Sequence, residues 1–95
     1  MEQNEKNTQM LFYLVGSFEM AAMQGMGKIT NPVTNKMEKN LEQAQFAIDV
    51  LDMVKEKMKG NLTEYEAKYV DNTAAQLKLN YIDELEKSKK ETGTA

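Results

Sequence analysis

From Met10 to Met26 the chain carries only three plainly polar residues, Ser17, Glu19 and Gln24. At about 100° per residue, Leu11, Leu14, Val15, Phe18, Ala21, Ala22 and Gly25 share one side of a helix, while Phe12, Tyr13, Met20 and Met23 spread over the other. A helix that is apolar nearly all round has to be buried nearly all round. The pattern predicts a helix over 8–26, capped by Asn7 or Thr8 and stopped by Gly25 and Gly27. Residues 1–7 are polar and are expected to be flexible. Within the helix, Ser17, Ala21 and Gly25 recur every fourth position and make a small-residue groove that lets another helix approach closely.

Between Lys28 and Lys39 the periodicity is lost, and Asn31-Pro32-Val33-Thr34-Asn35 reads as a turn, with Pro32 presetting φ and Asn31 free to bond back to the backbone. A connection of this length is longer than the roughly 2–8 residues usual between bundled helices. Such length marks either a functional loop or a chain crossing the end of a bundle, and the crossing is the favoured reading. The next helix is predicted over 40–59, with Asn40 and Gln43 in a capping-box arrangement and Gly60 just past its end. Its main stripe is Leu41, Ala44, Ala47, Ile48, Leu51, Val54 and Met58; a separate patch, Phe46, Val50 and Met53, lies well away from it.

Thr63-Glu64-Tyr65-Glu66 is a second capping box, opening a helix predicted over 63–88. That helix presents Ala67, Val70, Ala74, Leu77, Tyr81 and Leu85 on one face and Ala75, Leu79 and Ile82 on another. The short link through Gly60 to Leu62 makes the second and third helices an antiparallel hairpin. The tail over 89–95 has little to bury and is expected to be disordered. The expected fold is all-α: one domain over 8–88, a small three-helix bundle of helix, long loop and helical hairpin, completed by homo-oligomerisation.

Composition narrows the chemistry more than it suggests any. The 95 residues contain no His, Cys or Trp, and all twelve basic residues are Lys, so there is no Arg. The commonest general base, the thiolate nucleophile and the bidentate phosphate fork are all missing. A net charge of −3, with the Lys dispersed among fifteen acids, gives no basic stripe for nucleic acid. The apolar stretch falls short of the ~20 residues a bilayer needs, so no transmembrane helix is expected. Asp49, Asp52 and Glu56 share a face of the second helix, but without His they lack the partners of a carboxylate-bridged metal site, and they read as a solvated surface. Asp49 is expected to pair with Lys78 or a Tyr hydroxyl.

The run from Asn31 to Tyr81 resembles a family of short bacterial proteins described as domain of unknown function 1844. The resemblance rests on Asn31-Pro32-Val33-Thr34, on Asn40-Leu41-Glu42-Gln43-Ala44, on Ala47-Ile48-Asp49-Val50-Leu51, and above all on Glu56-Lys57-Met58-Lys59-Gly60-Asn61-Leu62-Thr63. The chain departs from the family's pattern at Met58, where Thr is common, and at Lys78 and Asn80, where an Arg-x-Arg-like pair is common. The resemblance implies a small helical bacterial domain and assigns no catalytic residue.

The expected function is therefore that of a non-enzymatic structural or protein-interaction module of the bacterial cytoplasm. It would act as a homo-oligomer or on another protein, without a cofactor. The candidate interface residues are Phe12, Ser17, Met20, Ala21, Met23, Gly25, Phe46, Val50 and Met53. The alternative is a binding module whose Met-rich groove holds an apolar ligand, a lipid or a partner helix; of the eight Met, Met10, Met20, Met23 and Met26 cluster in the first helix.

Overall fold

The computed structural model describes residues 2–91. It contains three helices, α1 (Gln3–Gly25), α2 (Leu41–Lys57) and α3 (Glu64–Glu91), and no strand among the described residues. The all-α, three-helix expectation holds, with shifted ends. Helix α1 begins at Gln3, well before position 8, because its polar first turns supply their own support: Gln3 Nε2 donates to Asn7 Oδ1 at 2.9 Å. Glu2 stands at its cap without a side-chain bond, so neither Asn7 nor Thr8 caps it. Helix α3 runs through Glu91, into the tail expected to be disordered; residues 92–95 lie outside the described residues, as does Met1.

Helix α1 ends in a Schellman motif. Gly27, at φ 75°, lets the Gly27 N–H reach Gln24 O and the Lys28 N–H reach Met23 O, each at 2.9 Å. The long loop does not cross the bundle. It goes out and returns as a hairpin, with antiparallel bridges between Met26 and Lys39 and between Asn31 and Lys36. Asn31 turns the tip, its Oδ1 accepting from the Val33 N–H at 2.8 Å, and Asn35 adopts φ 57°. Asn31 through its side chain and Asn35 through its left-handed backbone thus make the turn expected over Asn31 to Asn35.

Asn40 caps α2 by accepting from the Gln43 N–H at 3.1 Å. The capping box is only half made, because the Gln43 side chain donates instead to Ala21 O of α1 at 2.9 Å. Before α3 the box is complete: Glu66 Oε1 accepts from the Thr63 N–H at 2.8 Å and the Thr63 hydroxyl accepts from the Glu66 N–H at 3.1 Å. The core is continuous across all three helices: Leu11, Val15, Ala22 and Met26 meet Ala44, Ala47, Ile48, Leu51 and Val54, and Val70, Ala74 and Leu77 close one side.

Helix α2 is antiparallel to both neighbours, so α1 and α3 run parallel and are tied at both ends. At one end the Thr8 hydroxyl donates to Glu66 Oε2. At the other, Glu84 accepts Lys39 Nζ at 3.0 Å and Lys28 and Lys87 Nζ at 3.2 Å each. Glu66 and Glu84 are about five turns apart and therefore on the same side of α3, and both are buried. Lys28 and Lys39 stand at the two ends of the loop, so one carboxylate pins the base of the hairpin to α3. The Lys39 ammonium, with help from Lys28 and Lys87, holds the Glu84 carboxyl down at about 2 against the opposing effect of desolvation. Glu66 is also lowered, chiefly by the Thr8 hydroxyl and then by the Thr63 N–H.

A carboxyl lowered by folding releases its proton more readily in the folded state, so its stabilisation is complete above the ordinary value of 4.5 and is lost as the pH falls toward 2. Urea unfolding should accordingly show a midpoint that drops between about pH 5 and about pH 2.5. In Glu84→Gln the midpoint should be lower at neutral pH and fall less on acidification; an equal fall in both proteins would contradict the clamp.

Candidate interaction surface

The α1–α2 contact is set by one residue without a side chain. A Cβ on Gly25 would lie 2.7 Å from both Ala44 N and Asn40 O, so only glycine lets the two backbones come this close. The Asn40 N–H donates to Gly25 O at 2.8 Å, and the Met26–Lys39 bridge continues the same register. The third member of the small-residue groove is thus filled by this chain's own α2.

Helix α3 covers one side of the α1–α2 pair. On the other side two rows lie next to each other. Along α1 run Met10, Leu14, Ser17 and Ala21, spaced i, i+4, i+7 and i+11; along α2 run Phe46, Val50 and Met53. The bond from Gln43 to Ala21 O joins the two rows at one end. Phe46 is 66% exposed, Met10 58% and Met53 48%; Leu14 is also exposed, and Val50 is half-buried against the core.

Of the sequence-predicted residues, Ser17, Ala21, Phe46, Val50 and Met53 come together on this face. Met20 is exposed on the outer edge of α1 with Tyr13. Met23 packs against the core. Phe12 turns toward α3, its ring 5.7 Å from Tyr65 edge-on and 4.4 Å from Tyr69. Met10 and Leu14 complete the face, although sequence periodicity put Leu14 with the buried positions. The i, i+4, i+7, i+11 spacing that links them to Ser17 and Ala21 was the available signal.

The α2–α3 seam carries an open depression of about 350 Å³ beside Ile48, Tyr81, Ile82 and Leu85. Exposed Leu79 adjoins it in sequence, as the second apolar face of α3 requires. Charges stitch this seam: Lys78 Nζ lies 2.9 Å from Asp52 and Lys55 Nζ 3.0 Å from Asp71, which raises the Lys55 pKa. Asp49 is not the partner of Lys78 or of a Tyr; its Oδ1 accepts from Gln45 Nε2 at 2.8 Å, since it is rotated about 60° around α2 from Asp52, away from α3. Exposed pairs of this kind are worth roughly 0–1 kcal/mol and steer more than they hold. Among the described residues no helix is long and apolar enough to cross a membrane.

The family described as domain of unknown function (DUF1844) matches residues 8–83. No curated protein and no solved structure matches.

Two glycines on one helix should respond in opposite directions. Gly25→Ala has to push apart the α1 and α2 backbones and should cost about 1–3 kcal/mol in urea unfolding. Gly16 has nothing within 4 Å of a Cβ, and Gly16→Ala should stabilise by up to about 1 kcal/mol through helix propensity. A tolerated Gly25→Ala would contradict the close approach.

Proposed function

The chain belongs to the DUF1844 family, a domain of unknown function, and from that premise we propose that it is a non-enzymatic interaction module that works as a homo-oligomer in the bacterial cytoplasm. The observation that carries this reading is the uncovered apolar face of the α1–α2 pair. The chain is elongated, 53 × 28 × 16 Å, with a radius of gyration of 15.2 Å against about 12 Å for a compact domain of this length. Its 6699 Å² of accessible surface exceeds the roughly 5,500 Å² normal for a monomer of 10.8 kDa. That excess is comparable with the ~800 Å² each partner buries in an ordinary stable interface. Exposed Phe46, Met10, Met53 and Leu14 lie on the uncovered face, and covering one large apolar side chain is worth about 1.5–3 kcal/mol.

A non-enzymatic role is supported by the residue inventory. With no His, Cys or Arg, the carboxylates are the main catalytic raw material, and Asp49, Asp52 and Asp71 are held by Gln45, Lys78 and Lys55.

Light scattering over a wide concentration range should give a mass of at least twice 10.8 kDa. Phe46→Ala, which removes an exposed ring, should raise the dissociation constant about tenfold or more while leaving the helical content unchanged. A concentration-independent monomer that binds an apolar dye saturably would replace this reading with that of an apolar-ligand groove.

A further inference from the structure

Helix α2 carries a stripe that is complementary to itself when reversed. Glu42, Phe46, Val50, Met53 and Lys57 fall within one side of the helix, with an acid at one end, a base at the other and apolar residues between. Glu42 and Lys57 lie equally far from the point between Asp49 and Val50, and so do Phe46 and Met53. All but half-buried Val50 are exposed. Among the described residues, neither Glu42 nor Lys57 has an ion-pair partner within the chain, whereas Asp52, Asp71, Lys55 and Lys78 are all engaged.

The neighbouring row on α1 has the same property. Met10 and Ala21 lie equally far from the point between Val15 and Gly16, and so do Leu14 and Ser17, so reversal sets each large residue against a small one. The two centres also coincide in space. The register that joins Gly25 to Asn40 and Met26 to Lys39 carries Val15 level with Val50 and Gly16 level with Asp49. One two-fold axis, perpendicular to both helices at this level, therefore serves both rows at once. Two independent patterns sharing one centre is the condition an isologous interface imposes.

Resting on the self-association proposed above, we infer that two copies stack face to face about this axis, α1 antiparallel on α1 and α2 antiparallel on α2, forming a four-helix core. Glu42 then meets Lys57 of the second copy and Phe46 meets its Met53. Leu14 and Met10 seat over its Ser17 and Ala21, whose small side chains give the space. The charged ends fix direction, since a parallel stacking would set Glu42 against Glu42 and Lys57 against Lys57. Asp49 and its symmetry mate sit at the rim near the axis.

The absence of Cys makes the geometry directly testable. In a chain carrying both Phe46→Cys and Met53→Cys, mild oxidation should yield a covalent dimer. Seven residues of helix put the two sites about 10 Å apart within one chain, beyond disulfide reach. For the same reason each single variant should stay uncrosslinked, since its two copies of the substituted site are similarly separated. Lys57→Glu should weaken the dimer about tenfold through two symmetry-related contacts, and adding Glu42→Lys should restore it to within about threefold. A dimer by light scattering that crosslinks Phe46→Cys to Ala21→Cys instead, or ignores the charge exchange, would overturn this axis and leave self-association standing. A wild-type monomer would overturn both.

Discussion

The contact on which the other features depend is the approach of α1 to α2 at Gly25, where two backbones meet with no side chain between them. A close backbone contact tolerates little sliding, so it fixes the register of the helix pair more firmly than interdigitated apolar side chains would. From that register follows the shape of the loop: with Gly25 bonded to Asn40, the intervening residues have to leave and return at the same place, and a hairpin is the result. From it also follows which outward-facing residues of α1 lie beside which of α2.

Helix α3 completes the core from one side and is held by chemistry of a different kind. Its core stripe is apolar in the middle and carboxylate at both ends, at Glu66 and Glu84. Burying carboxylates is costly unless their oxygens are bonded, and here each is: Glu66 by Thr8 and its own capping box, Glu84 by three ammonium groups. These ties orient α3 along α1 and brace the loop hairpin. They also commit α3 to one side of the α1–α2 pair, which leaves the opposite side exposed.

A small domain with one thin core gains stability when it shares that core with another. In this chain the apolar residues of the α1–α2 face sit together, exposed and braced from behind by the core, while Asp52 and Asp71 are ion-paired along the α2–α3 seam.

The three helices, their core stripes on α2 and α3, the capping box at Thr63 and the apolar patch at Phe46, Val50 and Met53 were legible in the sequence, because local hydrogen bonding and helical periodicity depend on residues a few positions apart. Sequence also showed the small-residue spacing of Ser17, Ala21 and Gly25, but not whose backbone fills it. Tertiary structure alone decided that Gly25 receives this chain's own Asn40 and Ala44, that Leu14 faces outward, that Lys78 joins Asp52 and not Asp49, and that Lys28 and Lys39 converge on Glu84 more than forty residues away. In an all-round apolar helix such as α1, periodicity cannot rank the faces, because every face is apolar; only the position of its neighbours determines which side is buried and which stays exposed.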